Sequence, residues 1–400
     1  MSATEPSIAA NQLRSTQAAA LADAGLERAI WALAHPGSAQ GLADPLPALT
    51  PPPYDGSLFV PVTAEGVVRG GFRLTVAPGG GGNERDIVAV GWTPTDDASD
   101  ARAKAHHRLV ATIIRIRAPA DAAPCALCAV GDLQAAAGAA ADARGDTTCG
   151  AKLGAWTSGT AVMGPGAEIW GADGNALSNQ AGDIAQGQPA EGAEAWAFTN
   201  GELAALRRLA QSRGTYYRGS VAFDGASMPR DGLVFVDTVS GAPISAATPE
   251  ADLARVVVGG GAGVFRGWMI VSGTLEISGD ARLRGLAYAL DGFAYRGEGP
   301  GGVEGQVVAR GLRGGATLIQ RTGGGPAIRF DCPAARTGDG LISFGWMLSL
   351  GLTANCPIRT FFPNGSGRRV ITPPFHCSVK PLTLSSAQHI SYLLVRIFYG

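Results

Sequence analysis

The spacing of apolar and polar positions changes period three times along this chain. Between residues 11 and 34, Ala19, Ala22, Leu26, Ile30 and Leu33 recur at intervals of three and four, which aligns them on one face of an α-helix. Asp23, Glu27 and Arg28 fall on the other face. The pattern predicts an amphipathic helix packing through those five residues and closed by Pro36-Gly37. Pro45-Leu46-Pro47 through Pro51-Pro52-Pro53 then reads as a stiff, extended linker.

From Leu58 to Arg117 the period shortens to two. Short β-branched runs stand between glycines at 59–62, 72–76, 87–90 and 107–116. In the last run Val110, Thr112, Ile114 and Ile116 alternate with Ala111, Ile113, Arg115 and Arg117, as in a strand with one wetter face. Three or four antiparallel strands behind a helix make a small α+β unit. His106 and His107 begin the last run, and as strand neighbours they point to opposite faces, which is poor geometry for sharing a metal.

After Pro119 the pattern becomes a repeat. Gly131-Asp-Leu133 and Gly273-Thr-Leu275 open alike and each closes on a glycine, and Gly267, Gly285 and Gly305 mark steps of 18 and 20 residues. Each step encloses two short strands. A single such coil cannot bury its own inward side chains, whereas stacked coils bury one another's. The expected fold is therefore mainly β: an N-terminal amphipathic helix, a small α+β unit, and a glycine-rich parallel β-solenoid-like region, with a glycine-rich β-sandwich of hairpins as the alternative. The boundaries run 1–36 for the helix, 37–57 for the linker, 58–118 for the α+β strands and 119–335 for the glycine-rich region. Within the last, Leu203, Leu206 and Leu209 mark a helical insertion near 193–213. Residues 336–400 lose the repeat and hold five of the 13 phenylalanines in their last 64 positions, as a C-terminal cap or an atypical tail would.

Composition narrows the function. Glycine accounts for 58 of 400 residues, which demands many turns, and 46% apolar content excludes disorder over most of the chain. Only 16% of residues are charged and the net charge is −1, so a strongly basic nucleic-acid surface is not expected. No run of about 18 uncharged apolar residues is present, and Glu5 and Pro6 interrupt the place of a signal peptide's apolar segment.

Candidate chemistry is sparse. The six cysteines are Cys125, Cys128, Cys149, Cys332, Cys356 and Cys377. Cys125-Ala-Leu-Cys128 lacks the helix that follows such a pair in redox enzymes. Zinc would need Cys125, Cys128 and Cys149 with His376 or Cys377, and no second C-x-x-C supports it. Gly297 to Gly302 matches G-x-G-x-x-G, yet Val303-Glu-Gly305 reads as strand rather than the helix start that a pyrophosphate requires. Asp280, Arg282, Asp291 and Arg296 are the charges that a carbohydrate-active enzyme could use on a solenoid face. No catalytic, cofactor or metal residue is expected.

Three segments in order, Ser15 to Ala29, Gly232 to Thr238, and Gly267 to Gly305 with its Gly273-Thr-Leu-Glu-Ile-Ser-Gly279 unit, resemble PilX-type type IV pilus assembly proteins. The resemblance spans roughly residues 11–312 with gaps. It implies a minor-pilin-like component in which the helix is the lower stem and the β region is a docking or adhesive surface, with other pilin-like subunits and the assembly machinery as partners. The family's apolar anchor and processed leader are missing before Ala10, which reads as a truncated start of a protein anchored in the inner membrane with its bulk periplasmic or extracellular. That compartment implies structural disulfides among the six cysteines, by default from Cys125 or Cys128 to Cys149 and others in the tail, where Cys356 and Cys377 stand. A soluble cell-surface scaffold is the further alternative.

Overall fold

The computed structural model describes residues 4–348, apart from 137, 262, 323–324 and 343–344, together with 353–355. The chain divides into two compact units, one built on Met1–Ile116 and rejoined at Gly345, the other on Arg117–Phe344. Cys356, His376 and Cys377, and with them most of the expected tail, lie outside the described residues.

In the first unit a single long helix, α1 (Thr4–Ala34), packs on an antiparallel sheet of β1 (Val60–Ala64), β2 (Val67–Pro78), β3 (Glu84–Thr93) and β4 (Ala105–Arg115), in that spatial order. Alternation does the sorting. Phe72, Leu74 and Val76 of β2, Ile87 and Ala89 of β3, and Leu109, Ala111 and Ile113 of β4 point at the helix and are buried with Ala22, Leu26, Ala29 and Leu33. Each of the larger side chains contributes about 1.5–3 kcal/mol by leaving water. In β4 the face turned to the helix is the one bearing Leu109, Ala111 and Ile113, while Val110 and Thr112 stay half-buried.

Two short strands of the expected C-terminal cap do not continue the glycine-rich region. Trp346–Leu348 and Thr353–Asn355 both pair antiparallel with β4, so this stretch extends the sheet of the first unit. Pairing removes an open edge, and the Trp346 indole donates to the Leu33 carbonyl at 3.2 Å, anchoring the added strand to α1.

The second unit is mainly β, and among the described residues every strand pairing in it is parallel. Hairpins of the sandwich alternative do not occur in those pairings. Successive strands alternate between two sheets: Asp231–Asp237, Val264–Val271, Arg282–Ala289 and Gly302–Ala309 join one, while Ala254–Val258, Gly273–Gly279, Phe293–Glu298 and Thr317–Thr322 join the other. One strand from each makes a rung. Rows of inward side chains run from rung to rung, as in Val256, Leu275 and Phe293, or Val258, Ile277 and Tyr295, and close a common core.

Gly232, Gly267, Gly285 and Gly305 form one such row. Their φ values are positive, from +97° to +149°, and a Cβ on any of the last three would overlap the carbonyl oxygen of the glycine before it in the row. These positions break each long strand into two faces. The segment after the break is buried on both sides, which is why it reads as an unbroken apolar run in Gly-Trp-Met-Ile-Val271.

Spatial and chain order differ. The strands Cys125–Ala129 and Leu133–Ala135, first in the unit, pair with Gly302–Ala309 and Thr317–Thr322, the last complete rung. Leu153–Thr157 and Ile184–Ala185 then extend outward from there, while Tyr216–Arg218 and Ser220–Phe223 cover the opposite end. The chain must thus travel from one end of the stack to the other between residues 185 and 216. Seven strand-to-strand steps of about 4.8 Å make that roughly 33 Å. The segment 193–213, expected as an insertion, supplies the crossover. Its helix Asn200–Arg213 starts with a reciprocal Thr199–Glu202 capping box, and Phe198 packs its ring on Trp268 and Tyr288, at 5.4 and 4.7 Å. The crossover covers the outer apolar row that would otherwise face water.

Candidate functional site

The residues that position α1 define the first candidate surface. Ala22, Leu26 and Leu33 of the expected face are buried, whereas Ala19 and Ile30 flank it half-buried. The seat is instead completed by Ala18, Gly25, Ala29 and Ala32. At Gly91 of β3 a Cβ would overlap the backbone of Ala18 and Ala22, and at Gly25 it would meet the Phe72 ring at 3.1 Å. The helix therefore lies against the sheet at a distance set by backbone. The signal for this seat is the spacing of small residues at 18, 22, 25, 29 and 32, which an apolar periodicity does not single out.

Only the second half of α1 is seated. From Ser7 to Gln17 no residue is buried, and Ile8 and Leu13 are 57% and 60% exposed. Asp23 and Glu27 stand exposed on the outer side of the seated half, and their carboxyl pKa values are raised: partial desolvation is the main cause at both, opposed by His107 at Asp23 and reinforced by the Asp23 charge at Glu27. His106 stacks on Trp92 at 4.7 Å, and burial lowers its pKa, with the neighbouring His107 charge adding to the effect.

The cysteines pair otherwise than the default expectation. Cys125 joins Cys128 and Cys149 joins Cys332, with Cα separations of 5.6 and 5.7 Å. Three residues of extended strand span about 10 Å, so the strand Cys125–Ala129 is sharply bent between its two cysteines, where Ala126 has no partner in the register with Leu153–Thr157. Cys149 meets Cys332 because the first and last rungs are neighbours. That bridge also corrects the expectation for the tail: Cys332 is taken by Cys149 and is not available to Cys356 or Cys377. Two disulfides thus occur among the described residues, and the placement of Cys356 and Cys377, expected as members of the disulfide set, lies outside them. The zinc set of Cys125, Cys128 and Cys149 is not assembled, and no cluster of metal-binding side chains occurs among the described residues.

The remaining motifs resolve into turns. Gly297 to Gly302 joins Phe293–Glu298 to Gly302–Ala309, with Gly299 at φ +61° and no helix after it. Of the four charges considered for carbohydrate chemistry, Asp280 accepts from Gly261 N at 2.8 Å, Asp291 accepts from Arg313 N and Gly315 N, and Arg296 lies 3.7 Å from Glu276. Arg282 lines one cleft and Asp291 another.

A row of charges was not anticipated. Asp231, Arg266, Arg284, Glu304, Arg329 and Asp142 occupy one outward row across six adjacent strands. The signal was present as a charge directly before each step glycine: Asp231-Gly232, Arg266-Gly267, Arg284-Gly285 and Glu304-Gly305. Arg284 contacts Glu304 at 2.7 Å, Asp331 at 3.1 Å and Asp339, and these bonds raise its pKa and hold its guanidinium charged. Asp331 and Asp339 flank the short helix Cys332–Thr337, which Arg284 thereby clamps.

No family model matches the chain, and no curated protein matches it. Among solved structures, the competence-associated pilin ComZ from Thermus thermophilus aligns with 12% identity over 86% of this chain and 98% of that one, at a TM-score of 0.20. A score of 0.20 is too low to establish a shared fold.

Proposed function

We propose that this chain is a non-enzymatic, pilin-like component of type IV pilus assembly. The observation that carries the reading is the division of α1 into a seated second half and an exposed first half bearing Ile8 and Leu13. Such a helix can hold its own sheet and still offer exposed apolar side chains to the helices of neighbouring subunits. The ordered PilX-type resemblance supports the assembly context, with the protein at the inner membrane and its bulk at the cell surface. In this reading the parallel rungs form a β-solenoid, a rigid surface for subunit docking or adhesion, because stacked parallel strands present fixed rows of side chains.

The test is fractionation of the native gene product combined with cross-linking from Leu13→Cys. Recovery with the inner membrane and cross-links to pilin-like partners support the proposal; recovery from cytosol alone, without cross-links, removes it.

A further inference from the structure

One face of the second unit carries a cleft of about 470 Å³ that the proposed assembly role does not use. Its lining includes Arg266, Arg282, Arg284, Arg321 and Arg329 against a single carboxylate, Glu304. In a chain of net charge −1 this is a concentrated positive site. Arg266 stands directly beside Arg284 in the parallel register, and Arg282 lies two residues from Arg284 on the same outward side. Like charges placed opposite each other on a sheet destabilise it, so their placement needs a compensating partner.

The carboxylates at hand do not compensate all of them. Glu304, Asp331 and Asp339 converge on Arg284. Asp142, the register neighbour of Arg329, pairs with Arg144 at 2.8 Å and meets the Arg329 charge only as a weaker, longer-range attraction. Asp231, the register neighbour of Arg266, makes no ion pair among the described residues. Arg266, Arg282 and Arg329 thus face the cleft with no ion pair among those residues. Arg321 is fixed at its wall by donating to the Pro326 carbonyl at 2.7 Å and the Gly299 carbonyl at 2.5 Å. Gly301, Gly302 and Gly325 line the cleft without side chains and leave room for a ligand to approach.

The geometry points to a binding site for a multivalent oxyanion, one whose phosphoryl or carboxylate groups lie about 5–7 Å apart. That spacing follows from the lattice of the sheet, with strands about 4.8 Å apart and alternate residues about 6.6 Å apart along each strand. Guanidinium groups meet such oxygens in a bidentate fork, and the cleft volume is that of a small-molecule site. The inference does not depend on the pilus reading.

Calorimetric titration of the full chain with tripolyphosphate, orthophosphate and citrate at about 50 mM salt tests it. Tripolyphosphate is expected to bind at least about tenfold more tightly than orthophosphate. Arg266→Gln and Arg282→Gln should each weaken it about tenfold, or about 1.4 kcal/mol, and Arg282→Lys by less, since charge remains and the fork is lost. Arg69→Gln, on the first unit, should change nothing, and melting curves of each variant verify that the fold is kept. Binding of citrate as well assigns carboxylates to the ligand class; its failure restricts the class to phosphoryl groups. No tripolyphosphate binding by the unaltered chain, or equal binding by the folded Arg266→Gln/Arg282→Gln double variant, overturns the proposal.

Discussion

The two units use glycine to solve opposite problems. In the first, Gly91 and Gly25 bring two different elements together, a helix and a sheet, at backbone distance. In the second, Gly267, Gly285 and Gly305 stack on copies of themselves, so that one bend recurs from rung to rung. A defect in the first unit loosens one interface. A defect in the second is passed to both neighbouring rungs, because each glycine occupies space that its neighbour's carbonyl also needs. Glycine content alone hides this distinction; what separates the cases is whether the glycines recur in register.

The sharpest way to break the comparison is Gly285→Ala. The added Cβ overlaps the Gly267 carbonyl oxygen at a φ of +149°, and we expect a loss above about 4 kcal/mol, confined at first to the second unit. Hydrogen exchange resolved by peptide reads this out: protection should vanish across 264–309 and persist in β2 to β4. Next in size is Cys332→Ser. The Cys149–Cys332 bridge encloses a separation of 183 residues, and its loss should cost about 2–4 kcal/mol through the freedom returned to the unfolded chain. A denaturant midpoint for the second unit that does not move would contradict this. Gly91→Ala should cost about 1–3 kcal/mol by lifting α1 from β3, and should leave protection in the second unit unchanged.

Much of this was legible from residue spacing. The alternating runs located β1 to β4, and Gly273-Thr-Leu275 and Gly131-Asp-Leu133 proved to share a row, since Leu275, Phe293, Thr317 and Leu133 are register partners in turn. The loose repeat therefore marked equivalent positions despite its uneven length. Spatial order was not legible. Nothing local to Cys125–Ala129 says that it pairs with Val307 to Ala309, about 180 residues later, because parallel pairing depends on which outer rows a crossover can cover. The disulfide expectation failed for the same reason: it joined cysteines near in sequence, Cys149 to Cys125 or Cys128 and the later ones among themselves. The Ala18–Gly25–Ala29 seat was missed because close approach favours side chains that apolar-face searches discount, and the charge row because single charges before glycines look like ordinary turns.

The smallest predicted effect concerns pH. Asp23 and Glu27 have pKa values raised above 3.8 and 4.5 in the folded unit, chiefly by desolvation. Below those ordinary values both states are protonated and the groups cost nothing; as pH rises through the raised values the folded state is penalised and that stability is lost. Asp23→Asn with Glu27→Gln should therefore stabilise the first unit at neutral pH and flatten its stability over the range just above pH 4.5. An unaltered pH profile would show that these carboxyls are solvated in both states.

The claim on which the second unit's architecture rests is that its first and last rungs are neighbours. Non-reducing peptide mapping of the full chain tests it most directly. One linked peptide pair containing Cys149 and Cys332 is expected, with Cys125 and Cys128 joined within a single peptide. Linkage of Cys149 to Cys125 or Cys128, or of Cys332 to Cys356 or Cys377, would contradict it.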